Sequence, residues 1–453
     1  MVERADVIVL GMGPGGEHVA GRLAEEGLDV VGIEGRLLGG ECPYWGCVPS
    51  KMMLRAAGLL ADARRVPGIA GSTTVSADWS QVARRIRTEA TDDWDDRVAV
   101  ERFESKGGRF VRGYGRLTGP GRISVGEREL EATRGIVINT GTHPWAPPIP
   151  GLAETAYWTN REAIEATEVP SSLVVLGGGA IGVELGQVFA RFGSDVSIVE
   201  VGPHLLPLEE PEAGRLLTEV LGSEGMRILT GAEVSSVHDS GAGIALELAT
   251  GESLRAERLL VATGRRVDLE AIGVGAVGLD EKGRSIPVDD RCRAAPGLWA
   301  IGDITGEGAF THVSMYQAEI VLADILGRPG APADYRALPR VTFTDPEIGS
   351  VGLSETQARS AGLDVRTGYT DLPSSARGWI QKVDNAGFIK LVEDADRGVL
   401  VGATSAGPCG GEVLSMLTLA VHASVPTPVL STMIYAYPTF HRAVEVAVKD
   451  LSS

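Results

Sequence analysis

The chain is short of aromatic side chains, of cysteine and of positive charge. Phe, Trp and Tyr make up 5% of its 453 residues, and there are four cysteines. Lys and Arg number 42 against 60 Asp and Glu, a formal net charge of −18. A surface this acidic repels phosphate backbones and anionic headgroups, so neither nucleic acid nor a membrane is expected as a partner. No apolar run approaches the roughly 20 residues needed to span a bilayer. No basic segment precedes the first apolar one, where Met1 leads at once towards Val7-Ile8-Val9-Leu10, so no secretory signal is expected. Four cysteines without a paired framework suit a reducing compartment, and the expected location is cytoplasmic. What abounds is glycine, 60 residues of it, which suits an α/β protein with tight phosphate-binding turns. The length predicts two to four domains.

Half of the cysteines stand in one stretch, Gly39 to Lys51, which reads GGECPYWGCVPSK. Cys42 and Cys47 lie between a Gly-Gly turn and a Pro-Ser-Lys. On an ideal helix their Cα atoms would be roughly 8 Å apart, from a rise of ~1.5 Å per residue. A disulfide wants about 4.4–6.8 Å. If the two pair, the backbone between them must be distorted, and Pro43 and Gly46 allow that. A strained pair near a helix start has the character of a reducible, catalytic disulfide. The plainer alternatives are two incidental cysteines or half of a zinc site. Zinc needs four ligands at close spacing. Cys292 and Cys409 are far off in sequence, and no metal is expected.

Three Gly-x-Gly-x-x-Gly runs occur, and so glycine-rich a chain yields about one by chance. Context separates them. Gly11, Gly13 and Gly16 follow the apolar run Val7 to Leu10 and open a helical stretch predicted over 17–27; the next apolar run, Val30 to Ile33, ends at Glu34. Gly177, Gly179 and Gly182 follow Leu173 to Leu176 and open a helix predicted over 183–192; the next run, Val196 to Val199, ends at Glu200. In both, the acid lies 23 positions after the first glycine. Such glycines let a pyrophosphate approach a helix N-terminus, and the acid takes the ribose hydroxyls. Gly273, Gly275 and Gly278 have no strand before them, no helix after them and no acid at that offset, and read as the chance match.

The cysteine stretch strongly resembles the redox motif of the flavin-dependent pyridine nucleotide disulfide oxidoreductases, the family of dihydrolipoamide dehydrogenase, glutathione reductase and mercuric reductase. The usual form is Gly-Gly-Thr-Cys, four residues, then Cys-Ile/Val-Pro-Ser-Lys. Here Glu41 replaces the threonine and Pro43-Tyr44-Trp45 fills the interior. Further segments resemble family motifs: Ile138 to Pro144 around Gly141, Val261 to Arg266 around Gly264, Leu298 to Asp303 with Gly302, and the helix from Thr311-His312. The resemblance implies an α/β fold with two Rossmann-like nucleotide-binding domains plus a C-terminal α+β dimerisation domain. It implies FAD on residues 1–148 and 272–338, a nicotinamide cofactor on 149–271, and a homodimer formed through 339–453. It also implies a Cys42–Cys47 disulfide, with Cys47 facing the flavin and Cys42 meeting substrate. Asp303 would bind the ribityl and flavin phosphate region, and Lys51 with Glu184 would form an ion pair beside flavin N5. Glu200, followed by Val201-Gly202-Pro203-His204 without an arginine, favours NAD. NADP stays open through Arg265 or Arg266.

One motif departs. The family's thiol reductases carry His-x-His-Pro-Thr near the C-terminus, with a glutamate four residues after the proline. Here the run is Tyr435-Ala-Tyr437-Pro438-Thr439-Phe440-His441-Arg442. A tyrosine, titrating near 10 when unperturbed, is a poor base at neutral pH. Mercuric reductases share a tyrosine there but end in a vicinal cysteine pair, and this chain ends Lys449-Asp-Leu-Ser-Ser453. If Pro438 opens a helix, His441 stands one turn above Tyr437 and is a candidate replacement. The expectation is an NAD(P)H-dependent flavoprotein acting on a disulfide-type substrate. A quinone or metal-ion flavin reductase and a redox-sensing flavoprotein are the rivals.

Overall fold

The structure, a computed structural model, describes residues 2–239, 241 and 243–451. Met1 and Ser452-Ser453, on which the reading of the two ends rests, lie outside the described residues. The chain divides into two compact units. One comprises Met1–Pro49, Arg84–Trp145 and Arg265–Asp334; the other comprises Ser50–Ala83, Ala146–Gly264 and Tyr335–Ser453. The sequence places the return from the inserted segment near Ile272, and the unit boundary falls at Arg265.

The first unit is built on a parallel sheet. Strand Glu3–Leu10 lies between Arg128–Ile138 and Val30–Glu34, with Arg109–Arg112 beyond one neighbour and Leu298–Ala300 beyond the other. Both faces of the sheet are covered, which is why Val7-Ile8-Val9-Leu10 shows no polar alternation. Ile8 and Leu10 pack with Ile33, Ile136 and Ile304, while Val7 and Val9 pack with Val30, Phe103 and Val321 on the other side. The helix after the first glycine turn runs Pro14–Glu25. It begins three residues before the predicted start, because Pro14 has the fixed φ that a first helical position favours.

The second unit holds a parallel sheet in the order Arg227–Thr230, Asp195–Glu200, Ser172–Leu176, Arg258–Val261, and a three-stranded antiparallel sheet over 234–256. Its glycine turn opens helix Ala180–Arg191, three residues before the predicted start. Residues after Pro339 form a five-stranded antiparallel sheet backed by helices Gly410–His422 and His441–Asp450. The expected helix start at Pro438 is corrected: the helix begins at His441. Tyr437 and Pro438 lie in a turn, where the Thr439 hydroxyl donates to the Ala436 carbonyl at 2.7 Å. Such a hydroxyl-to-backbone bond competes with helix formation. The chance match is also explained. Gly273 and Gly278 bracket a short 3-10 turn, Val274–Val277, preceded by the helical turn Leu269–Ile272 rather than a strand. No described helix is long and apolar enough to cross a membrane.

A charged knot ties the second unit together. Gln187 accepts from the Asp345 N–H at 2.8 Å and donates to its carbonyl at 2.9 Å. The Asp345 carboxylate receives Arg191 at 2.7 Å and Arg65 at 2.8 Å, and Arg65 also reaches Asp384 at 3.2 Å. Burial, together with the hydrogen bond to Asp345, pushes the Asp384 carboxyl up to about 7. Burial opposes ionisation of Asp345 too, but the Asp384 proton, Arg191 and Arg65 outweigh it and hold Asp345 below the usual range. Between the unfolded Asp range and pH 7 the folded chain therefore holds a proton on Asp384 that the unfolded chain releases. That proton's contribution is largest at low pH and is lost as pH rises through 7. Asp384→Asn is expected to melt higher than wild type at pH 8, with the two curves converging towards pH 5. Thermal melts across that range check it, and a parallel offset at every pH contradicts it.

Candidate active site

The cysteine stretch is helical with a break in the middle. A short helix, Glu41–Tyr44, stops at Trp45, and a new helix, Cys47–Arg65, starts at the second cysteine. Pro43 fits the first turn, where its missing N–H is not needed. A β-carbon on Gly46 would stand 3.0 Å from the Glu41 carbonyl oxygen, so glycine relieves crowding at the break. The interruption expected between the cysteines is present. Cys42 is half-buried and Cys47 exposed. The Cys47 sulfur lies 3.5 Å from the hydroxyl of Thr311, the first residue of helix Thr311–Ile325, and Cys42 hydrogen-bonds both Cys47 and Thr311. Its contact with Cys47, aided by burial, pushes the Cys42 thiol well up.

The turn before the cysteines packs on the first glycine turn. A β-carbon on Gly40 would come within 2.8 Å of the Gly13 Cα, and one on Gly11, at φ +92°, within 2.5 Å of the Asn139 carbonyl. The buried Asn139 amide accepts from Gly16 N–H at 2.9 Å and donates to the Ser314 hydroxyl at 3.0 Å and the Ile301 carbonyl at 3.1 Å. One side chain thus joins the glycine turn, the strand before Gly302 and helix Thr311–Ile325. Glu34 accepts from Met12 N–H at 2.9 Å and Arg36 N–H at 2.8 Å. Burial raises its carboxyl despite these bonds. Gly302 accepts no β-carbon without crowding Asn139 and Ser314. The Asp303 carboxylate accepts from the Thr142 hydroxyl at 2.9 Å, beside Gly141. A backbone bare of side chains at a helix N-terminus, flanked by acids, fits a dinucleotide with its pyrophosphate on the helix.

The second unit repeats the arrangement. A β-carbon on Gly177 would come within 2.5 Å of the Ala262 carbonyl, while Gly179 and Gly264 face open space. A β-carbon on Gly182 would strike the Gly177 carbonyl, as one on Gly16 would strike that of Gly11. Glu200 accepts from Gly178 N–H and Gly202 N–H, each at 2.6 Å. It clamps its turn as Glu34 clamps the first, and each carboxylate oxygen keeps a lone pair for a ribose hydroxyl. Lys51 pairs with Glu184 at 2.7 Å. The other Glu184 oxygen accepts from Phe343 N–H at 2.8 Å, and the ammonium sits 4.6 Å from the Phe343 ring.

The remaining expected site residues are less engaged. Tyr437 is 69% exposed, with the Arg442 guanidinium 5.5 Å over its ring. Tyr435 is buried and donates to the Leu430 carbonyl at 3.0 Å, a packing role. His441 is half-buried at its helix start. Arg265 and Arg266 are both occupied: the first binds Thr142, and the second lies 3.8 Å over the Trp145 ring. Sequence reasoning gave no role to Asn139, Thr142 or Phe343, and named Thr311 only as a helix start. Their partners are far away along the chain.

Comparison with known proteins decides the family. Residues 5–318 match the model described as pyridine nucleotide-disulphide oxidoreductase, and residues 338–448 match the dimerisation domain of the same family. The chain belongs to the pyridine nucleotide-disulfide oxidoreductase family. It is 34% identical to dihydrolipoyl dehydrogenase 3 of Pseudomonas aeruginosa, over 100% of this chain and 98% of that protein. It is 30% identical to mercuric reductase of Staphylococcus aureus, over 99% and 83% respectively. A Cu(II) complex of the HOCl-induced flavoprotein disulfide reductase RclA from Escherichia coli superposes with a TM-score of 0.83 at 25% identity, covering 97% of this chain and 98% of that one. As a family member the chain is an oxidoreductase whose cofactors are FAD and NAD(P)H, and it carries the family's dimerisation domain.

Glu200 bears on the choice of nicotinamide. Its carboxylate sits at the end of strand Asp195–Glu200, where its negative charge opposes a 2′-phosphate. The clash is worth roughly 1–3 kcal/mol, or about 5–150-fold. The ratio of kcat/KM for NADH and NADPH is expected to favour NADH by that factor. An NADPH preference contradicts the reading of Glu200.

Proposed function

We propose that this chain takes electrons from NADH through FAD to a Cys42–Cys47 disulfide and on to a disulfide-type substrate, as a dihydrolipoamide dehydrogenase does, but with an altered C-terminal acid/base. The observation that carries this reading is the cysteine pair beside the Thr311 hydroxyl at the start of helix Thr311–Ile325. FAD, when bound, supplies the relay that accepts a hydride from the nicotinamide and passes two electrons to the cysteine pair. The chain's residues do the rest. Gly11, Gly13 and Gly16 with Glu34, Gly141, Gly302 and Asp303 hold the flavin nucleotide. Gly177, Gly179 and Gly182 with Glu200 and Gly264 hold the nicotinamide nucleotide. Glu184 fixes the Lys51 ammonium, a cation suited to a developing negative charge. Cys47 serves as the flavin-side thiolate, and Cys42 serves as the exchanging thiol. The balance is one NADH and one proton consumed for each disulfide opened to two thiols.

The domain boundaries we favour are 1–148 with 272–338 for FAD, 149–271 for NAD and 339–453 for pairing two copies. The protein then works as a homodimer in the cytoplasm. A second reading, reduction of a metal ion or quinone, has support of its own. Tyr435 is spent on packing and, among the described residues, no carboxylate is bonded to Tyr437, so the usual His–Glu pair for thiol exchange is replaced. The relatives include a mercuric reductase, matched over 99% of this chain.

Two experiments separate these readings. Two-electron reduction by NADH should give a long-wavelength charge-transfer band that is lost in Cys47→Ser and kept in Cys42→Ser. The reverse pattern exchanges the two roles, and absence of the band in wild type removes the disulfide mechanism. Turnover on a panel of lipoamide, small disulfides, quinones and mercuric ion then assigns the oxidant.

A specific deficit with disulfides is also expected. General acid–base catalysis contributes about 10²–10⁴-fold. Tyr437→His combined with Arg442→Glu should raise kcat for lipoamide within that range while flavin reduction by NADH stays fast. Efficient wild-type lipoamide turnover that survives His441→Ala defeats this.

A further inference from the structure

Glu41 occupies the position where the family motif has threonine, directly before Cys42. Its carboxylate lies 3.4 Å from the Arg265 guanidinium, in a pair whose side chains are only 28% and 20% exposed. Arg265 reaches that place because Arg265-Arg266 pairs as a short antiparallel strand with His143-Pro144. It donates from Nε to the Thr142 hydroxyl at 2.8 Å and from Nη2 to the Thr142 carbonyl at 2.7 Å. The Thr142 hydroxyl donates to Asp303 Oδ2 at 2.9 Å. The direction of this chain is fixed. The guanidinium can only donate, so the hydroxyl it meets must spend its own hydrogen on the carboxylate. The Glu41–Arg265 link is an ion pair, and the two hydrogen bonds through the Thr142 hydroxyl are each charge-assisted at one end. Threonine at position 41 could offer Arg265 no charge.

We infer that Glu41 is a positioning residue: through Arg265 and Thr142 it couples the segment that carries Cys42 to the carboxylate of Asp303. The inference rests on the reading that Gly302 and Asp303 take part in holding FAD. With Glu41 in place, Arg265 is anchored at both ends and the Thr142 hydroxyl stays aimed at Asp303. Without it, the guanidinium loses its counter-charge and its hold on the threonine loosens. The residue that starts the redox helix thereby sets the orientation of a side chain at the flavin site.

The test is the rate of FAD release from the purified holoprotein, read as the rise in flavin fluorescence on dilution. Glu41→Gln and Arg265→Gln should each speed release about tenfold, and the double variant should be no faster than either, since both break one chain. Thr142→Ser, which keeps the hydroxyl, should release at the wild-type rate, whereas the isosteric Thr142→Val should match Glu41→Gln. A role in packing alone gives the opposite order for these two. If Arg265→Gln does not fold, Arg265→Lys closes the same cycle. Effects that multiply in the double variant, or a Thr142→Val that holds FAD like wild type, overturn the coupling while leaving the proposed function standing. A wild-type protein that binds no FAD overturns the functional reading and the coupling with it.

Discussion

Everything at the two nucleotide turns depends on backbone passing over backbone with no room for a β-carbon. Gly11 crosses the Asn139 carbonyl and Gly177 crosses the Ala262 carbonyl, each where a parallel strand ends. This crossing aims a helix N-terminus at the open edge of the sheet and brings the acid at the end of the next strand under the turn. Glu34 and Glu200 then accept two backbone N–H groups each, which makes the turns rigid before any ligand arrives. A preformed anion cradle loses less entropy on binding than a loop that must be ordered. The same economy holds at the redox helix, where Gly40 against Gly13 and Gly46 against Glu41 let the cysteine segment lie on the first turn without side chains between them.

The parts of the site that were legible in the sequence are those whose cause is local. A glycine triplet between an apolar run and a helical pattern, with an acid at a fixed offset, needs no knowledge of distant residues, and both turns were readable for that reason. So was the decoy at Gly273, since it lacked the preceding strand. The helix starts at Pro14 and Ala180 were misplaced by one turn because glycines carry little helical signal of their own. The start at His441 was misplaced because Pro438 looked like a first helical residue, while the Thr439 hydroxyl had already closed a turn there.

The rest was illegible because its partners are far apart along the chain. Nothing local marks Asn139 as the joint between Gly16, Ile301 and Ser314, or Thr311 as the contact of both cysteines. Asp384 looks like an ordinary loop acid. Only when it is folded against Asp345 does burial compel one of the two to keep a proton. Glu41 stood out in the sequence as a departure from a motif, but its meaning came from Arg265, which the sequence had set aside for a phosphate.

The pairing of His143-Pro144 with Arg265-Arg266 has a consequence of another kind. The chain leaves the first unit and re-enters it along two adjacent strands, so residues 146–264 depart from and return to one spot. Such a segment is a cassette with its ends stitched together at the base. It is held a second time within its own unit, by Glu184 on Lys51 and by Gln187 and Arg191 on Asp345. A splice at the two neighbouring strands keeps entry and exit in register, but the new segment must also supply partners for Lys51 and Asp345.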